Sequence, residues 1–346
     1  MKYTKLSNSD IKVSKICMGT MTFGKQNTPK EAFEQLDYAK EFGINFIDTA
    51  EMYPVPADAE RHGNTERIVG NWIQERNNRS EIILATKICG PNRALPYIRE
   101  SLGFDKQQMI TALNGSLQRL QTDYIDVYQL HWPERNTNIF NVRGYKHKDN
   151  EKWNYNFLEV LETLNDFVKE GKIRHWGTSN ETPWGLMKYK EECSTQKIPQ
   201  MVSIQNPYSL LNRTYEIGLA EISMRENIGL LAYSPLAFGM LSGKYINGTA
   251  DKNSRMLQFK NFNRYLSPAC TDATKAYMEV ASKHNVSLTQ MALAWVNTRP
   301  FVTSNIISAT TMDQLKEDLN SINFNLSEEI LKDIDSVYQR YPDPAP

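Results

Sequence analysis

The chain has 346 residues, enough for one large barrel or two ordinary domains, and a globular composition of 40% hydrophobic and 23% charged residues. Lys+Arg and Asp+Glu both number 40, so the formal charge is zero, which gives no electrostatic footprint for nucleic acid or an acidic membrane surface. The polar start, Met1 to Asp10, lacks the apolar core of a secretory signal, no apolar run nears the ~18 residues of a membrane helix, and the dispersed Cys17, Cys89, Cys193 and Cys270 fit a reduced cytosol rather than a disulfide or zinc framework.

Residues 2 to 14 alternate weakly around Asn8-Ser9-Asp10, which predicts a small hairpin. Ile16-Cys17-Met18 reads as a strand running into Gly19-Thr20-Met21. Thr28, Pro29 and Glu31 then open a helix with a capping box, and Gly43 stops it. Asn45-Phe46-Ile47 is a short strand that runs out on Asp48, and Tyr53 follows in loop. A helix over Thr65 to Arg76 precedes a strand that exits on Lys87, and Asp105 caps the next helix. Tyr124 to Leu130 is a strand ending at His131-Trp132-Pro133, with a long polar and aromatic loop to about Tyr155. The alternation continues through strands that exit on Ser179-Asn180, Gln205, Tyr233-Ser234 and Ser308, with helices predicted over Trp184 to Glu192, Tyr215 to Glu226 and Thr311 to Ile322. An irregular stretch from Leu236 to Pro268 precedes two helices, and Ser327-Glu328-Glu329 starts a final one.

Eight short apolar strands, each followed by an amphipathic helix, predict a (β/α)8 TIM barrel over residues 1–346, with an N-terminal hairpin at 1–14, extra C-terminal helices and an extended tail at 341–346. Gly-x-Gly-x-x-Gly is absent, so the usual dinucleotide fold lacks its fingerprint. Gly239 to Tyr245 is a near miss for a phosphate loop: its glycines are one residue too close, and Tyr245 replaces the metal-binding hydroxyl.

In a barrel the strand exits form one rim, so Asp48, Lys87, His131, Ser179, Asn180, Gln205, Tyr233, Ser234 and Ser308 converge although they are far apart in sequence. Singly each has a plain reading: a cap for Asp48, a solvated strand end for Lys87, a satisfied core imidazole for His131, loop packing for Tyr53. Together Tyr53, Lys87 and Asp48 suit proton donation. A phenol titrates near ~10; a neighbouring ammonium is expected to lower that value, and a carboxylate holds the ammonium in place. Such a tyrosine can protonate a carbonyl oxygen as hydride reaches carbon, with His131 donating to the same oxygen. This is carbonyl reduction without a metal.

These stretches carry a family resemblance. Gly19-Thr20-Met21, Asn45 to Tyr53, Ala85-Thr86-Lys87, Asp126 to Pro133, Gly177 to Asn180 and Ala232 to Leu236 resemble the aldo-keto reductases over almost the whole chain. Glu51 to Pro56, Gln205 to Arg213 and Thr310 to Lys316 resemble their bacterial Tas-type, NADP(H)-dependent branch. The resemblance implies the tetrad Asp48, Tyr53, Lys87 and His131, with Tyr53 the general acid. It implies NADP(H) as cofactor, with Gly19, Thr20, Met21 and Asp48 among its contacts, Ser179, Asn180 and Gln205 on the carboxamide, and Tyr233 stacked on the ring. It implies that the backbone of Ser234, Pro235, Leu236, Ala237 and Gly239, with Lys244, carries the pyrophosphate. Ser254, Arg255, Ser308, Thr310, Gln314, Glu317 and Asp318 fall at the adenosine end.

Thr311 to Gln314 also reads as a capping box, and a helix start is a ready phosphate site. Ser308 stands where related sequences often have glycine, and Asp318 where they often have asparagine. Phe23, Tyr53, Trp132 and Tyr145 suggest an aromatic-lined pocket for small aldehydes or ketones, shaped by the loop from Trp132 to Tyr155 and the segment from Gly90 to Phe104. The expected partner is therefore a small-molecule carbonyl, not nucleic acid or membrane. Two other readings are a Lys87 Schiff-base lyase and a cofactor-binding partner protein like the potassium-channel β subunits, which share this fold.

Overall fold

The computed structural model describes residues 1–91, 95–140 and 142–345. Strands β1 (Tyr3–Lys5) and β2 (Lys12–Ser14) pair antiparallel as a hairpin. Eight parallel strands follow and close into a barrel: β3 (Ile16–Gly19), β4 (Phe46–Asp48), β5 (Ile83–Ile88), β6 (Ile125–Leu130), β7 (Ile173–Ser179), β8 (Ser203–Pro207), β9 (Gly229–Tyr233) and β10 (Val302–Ile307). Neighbours in sequence are neighbours in the sheet, and β10 pairs with both β9 and β3 to complete the circle. The predicted TIM barrel with its N-terminal hairpin is the fold.

Helices alternate with the strands: α1 (Pro29–Glu41), α2 (Asn64–Arg76), α3 (Lys106–Leu120), α4 (Phe157–Lys169), α5 (Pro183–Gln196) and α6 (Leu219–Glu226). Between β9 and β10 the chain makes a 3-10 segment (Ala237–Ser242), a single turn α7 (Arg255–Gln258), α8 (Pro268–Lys283) and α9 (Leu288–Thr298). The strand β10 leads to α10 (Met312–Asn320), and α11 (Glu328–Arg340) packs on α8. Local chemistry sets several of the starts. The Thr28–Glu31 capping box forms in both directions before α1, and Asp105 accepts from the amide of Gln108 before α3. The helix predicted over Tyr215 to Glu226 is broken at Gly218 into a 3-10 turn (Thr214–Ile217) and α6. The tail has no helix or strand through Ala345, whose buried side chain and amide bond to the Leu211 carbonyl dock it; Pro346 lies outside the described residues. No helix among the described residues is long and apolar enough to cross a membrane.

The period-2 alternation of the strands places the site. One set of strand residues, including Cys17, Phe46, Ala85, Val127 and Leu231, packs inside the barrel against Leu6, Ile11 and Val13 of the hairpin. Burial of each larger apolar side chain of this set, such as Phe46, Val127 and Leu231, contributes roughly 1.5–3 kcal/mol. The other set, including Met18, Ile47, Leu84 and Tyr128, packs outward with the helices. Two residues past Phe46, Ala85 and Val127, on the same inner face, come Asp48, Lys87 and Gln129. The apolar plug therefore carries a polar layer above it, at the carboxyl ends of the strands.

Candidate active site

Lys87 is wholly enclosed in that layer. Its Nζ donates to Asp48 Oδ2 at 2.6 Å and to the Thr49 carbonyl at 2.7 Å, and lies 3.4 Å from the Tyr53 hydroxyl. Asp48 has a second set of donors: its Oδ1 accepts from Gln205 Nε2 at 2.8 Å and Gln129 Nε2 at 3.1 Å. Burial alone works to discharge the lysine, but the Asp48 carboxylate and the Tyr53 hydroxyl outweigh it, and the lysine pKa is raised. Asp48 thus fixes both the charge and the position of the ammonium.

Tyr53 corrects an expectation. Its pKa is raised rather than lowered, because burial of the phenol outweighs the attraction of Lys87, and Asp48 adds to the rise. The phenol keeps its proton at neutral pH. His131 meets the Tyr53 ring edge-on, with centroids 5.9 Å apart. Its backbone is pinned on both sides: the amide bonds to the Ile88 carbonyl, and its own carbonyl accepts from Asn180 Nδ2 at 2.9 Å.

Tyr53, Asp48 and His131 open onto a cavity of about 730 Å³. Gly19, Thr20 and Met21 line it beside Asp48, with Ser179, Asn180 and Gln205 from the exits of β7 and β8. Tyr233, Ser234, Pro235, Leu236 and Gly239 follow from the exit of β9, with Lys244, Ser254 and Arg255; Ser308, Thr310, Gln314, Glu317 and Asp318 come from the β10–α10 side. The wall is tied together locally: Tyr233 donates to Asn180 Oδ1 at 2.6 Å, and Ser179 Oγ donates to the Gln205 carbonyl at 2.8 Å. At Gly19 an added Cβ would come within 2.7 Å of Ile306 and 2.9 Å of the Ile307 carbonyl, so only glycine allows β3 and β10 to approach here.

The segment after β9 has an unusual backbone. Ser234, Ala237 and Phe238 all have positive φ (54°, 50° and 56°), and Gly239 follows at 87°. Non-glycine residues in this region each cost on the order of 1–3 kcal/mol, and such strain concentrates where a backbone is shaped around a ligand. Lys244 and Arg255 line the same stretch, and neither has a carboxylate within ion-pair distance among the described residues. Burial lowers the Arg255 pKa to about 10; burial, with Arg255 next, lowers that of Lys244. Two cations held on a cavity wall without counter-ions suit an anionic ligand such as a dinucleotide pyrophosphate. The donor set fits the cofactor that the sequence suggests.

Some expected site residues lie elsewhere. Lys87 sits behind Tyr53 and Asp48 and does not reach the cavity, and Ala237 is fully buried behind its strained backbone. Phe23 is not a pocket residue: its ring is fully enclosed in the main hydrophobic core. Tyr145 is not one either. It is 56% exposed with its hydroxyl on His147, because its neighbours from 143 to 150 are polar and leave it no apolar surface to join. The 132–155 loop instead sends Phe140 to the cavity, with its ring edge-on to Trp132 at 5.8 Å; Asn141 of that loop lies outside the described residues. The 90–104 segment contributes Leu95, and its residues 92–94 also lie outside them. Gln314 makes half of the expected capping box. Its amide bonds to Thr311 Oγ1, but its side chain accepts from the amide and hydroxyl of Thr310, both at 3.0 Å.

Sequence reasoning passed over Gln129 and Arg264. Gln129 lies two residues past Val127 on the inner face, and that alternation was the available signal. Arg264 sits in an irregular stretch with no periodicity to place it, yet it lines the cavity, where Tyr265 and Tyr233 oppose the effect of burial and its pKa is raised.

Comparison with known proteins agrees with this geometry. A family model described as the aldo/keto reductase family matches residues 15–339. The chain is 46% identical over 347 residues to Protein tas of Escherichia coli, covering all of both chains. It is 32% identical to the uncharacterized oxidoreductase YrpG of Bacillus subtilis over 98% of this chain and 96% of that one. It is 29% identical to a probable voltage-gated potassium channel subunit beta of Oryza sativa over 99% and 98%. A barrel with a polar strand-end layer, a cavity opening on it, and a family match over nearly its whole length mark this chain as an oxidoreductase that belongs to the aldo/keto reductase family.

Proposed function

We propose that the protein reduces aldehydes or ketones to alcohols with NADP(H), and that Tyr53 gives the proton. The observation that carries this reading is the enclosed Asp48–Lys87 pair set against the phenol of Tyr53, which lines the cavity. When bound, the dihydronicotinamide supplies the hydride. The chain supplies the rest. Tyr53 holds a proton at its hydroxyl, and the Lys87 ammonium beside it stabilises the phenolate left when that proton departs. Asp48, held by two amides, keeps the ammonium aimed. His131 presents its ring to the same oxygen as a second donor. Ser179, Asn180 and Gln205 are the polar groups nearest this layer for the carboxamide, and Tyr233 offers its ring. Lys244 and Arg255 favour the phosphorylated dinucleotide, because neither cation forms an ion pair with a described carboxylate on the cavity wall. Met52, Val55, Ala57, Leu95, Trp132 and Phe140 give the substrate an apolar side.

Fluorescence titration with NADPH and NADH, followed by a carbonyl panel, tests the reading. NADPH is expected to bind more tightly, and Tyr53→Phe to lower carbonyl turnover about 10²- to 10⁴-fold with nucleotide affinity retained. Turnover near wild type in that variant would show that the proton comes from elsewhere. A Schiff base on Lys87 has little to support it, since the nitrogen is enclosed, charged and engaged by Asp48 and Thr49. A second reading, a cofactor-binding partner subunit, draws on the full-length similarity to the rice protein and to a similarly named one of Arabidopsis thaliana. It predicts bound nucleotide that carbonyls leave unoxidised.

A further inference from the structure

Asp318, on α10, is 3% exposed, yet its carboxyl belongs to the cavity wall. No described residue gives it a hydrogen bond; the side chain's surroundings act on it through burial and charge alone. The charged groups that face it are few. On its own helix is Glu317, whose Oε1 accepts from the Ser287 hydroxyl at 2.5 Å. Lys244 lines the same cavity and acts on Asp318, and Arg255, also in the lining, acts on Lys244. From α9 the lining includes Thr289, which carries no charge. Burial and Glu317 both press the carboxyl towards its neutral form, and Lys244 opposes them without prevailing.

A neutral carboxyl has an O–H to donate and an oxygen to accept with, whereas the ionised form only accepts. A dinucleotide arriving here brings negative phosphates and removes the remaining water, and both changes penalise an ionised carboxyl further. Linkage is reciprocal: a ligand that favours the protonated carboxyl is itself favoured by protonation.

We infer that dinucleotide binding carries a proton into this cavity, held on the Asp318 carboxyl, so that the grip on the nucleotide loosens as the solution becomes more alkaline. The inference rests on the proposed nicotinamide-nucleotide function and adds a proton to its binding step. Asp318 is here a residue that couples nucleotide binding to a proton, and it has no part in the hydride step.

The test is fluorescence titration of the full-length protein with NADH and with NADPH from pH 5.5 to 8.5 at constant ionic strength, in wild type, Asp318→Asn and Asp318→Ser. Calorimetry in two buffers of different ionisation heat counts the protons. For NADH the wild-type Kd is expected to rise with pH, by up to about tenfold per pH unit, with net proton uptake. For NADPH the slope is shallower at low pH, because the 2′-phosphate loses its second proton near ~6 and works in the opposite sense. In Asp318→Asn the NADH slope and the proton uptake disappear, and binding at pH 8.5 tightens. A slope that persists in both variants assigns the effect to another titratable group of the cavity, such as His131 or Lys244, and overturns the inference, as does a flat wild-type profile. If neither nucleotide binds at any pH, the proposed function falls with it; if both bind and only the Asp318 slope is missing, the function stands and the inference alone fails.

Discussion

The two sides of the cavity treat charge in opposite ways. On the barrel axis Lys87, Asp48, Gln129 and Gln205 form a closed set, in which the ammonium has a carboxylate and the carboxylate has two amide donors. Near α10 and the segment after β9, Arg255, Lys244 and Asp318 line the same cavity, with no ion pair or hydrogen bond to a described residue at their charged ends. The first set is complete in the protein by itself, as the proposed proton transfer requires. The second is completed by a ligand, and strained backbone at Ser234, Ala237 and Phe238 lies beside it. On the proposed function the contrast separates residues that serve chemistry from residues that serve binding.

Substitutions can break this contrast. The largest effect is expected at the closed set. Lys87→Met leaves Asp48 buried and unpaired, which costs about 3–5 kcal/mol of stability and abolishes most carbonyl turnover. The double variant Asp48→Asn with Lys87→Met should regain much of that stability, read by denaturant unfolding, while turnover stays low. Recovery of turnover as well would mean that the pair serves only to fill the barrel. Arg255→Ala should behave oppositely. It removes a cation and leaves no described carboxylate stranded, so the melting temperature without nucleotide holds or rises. Affinity for NADPH should fall by roughly 10- to 100-fold, the value of a charged hydrogen bond of about 1.5–3 kcal/mol. A destabilised Arg255→Ala would reveal a structural role and erase the distinction.

The smallest effect is thermal and concerns Asp318. Its proton is held more tightly in the folded chain than in the unfolded one. The ionised carboxyl therefore costs stability as pH climbs from the unfolded value, ~3.9, through the raised folded value, and the cost stays constant above it. Asp318→Asn should raise the melting temperature at pH 8, by roughly 1–2 °C for each kcal/mol released in a chain of this length, and leave it nearly unchanged at pH 4. An equal rise at both pH values would point to packing rather than charge.

Much of this was legible in the chain. Strand–helix alternation exposed the barrel because periods of 2 and 3.6 are local properties of backbone geometry. Capping at Thr28 and Asp105 was equally local, since donor and acceptor lie three residues apart. The polar strand exits were readable for a related reason: once the alternation is known, two residues past an inward apolar position lies another inward one. Phe23 and Tyr145 were misplaced because an aromatic side chain in a loop has no period to say which way it turns.

By itself, then, the order of residues determined which segments alternate, where they stop and which polar groups stand at their ends, because each depends on neighbours a few positions away. Only the tertiary structure decided what those groups experience. Burial by distant segments pushed the Tyr53 pKa up where a charge beside it was expected to pull it down. The same long-range packing enclosed Lys87 with its counter-ion and left Arg255 without one among the described residues, because desolvation is set by everything that closes around a side chain in space.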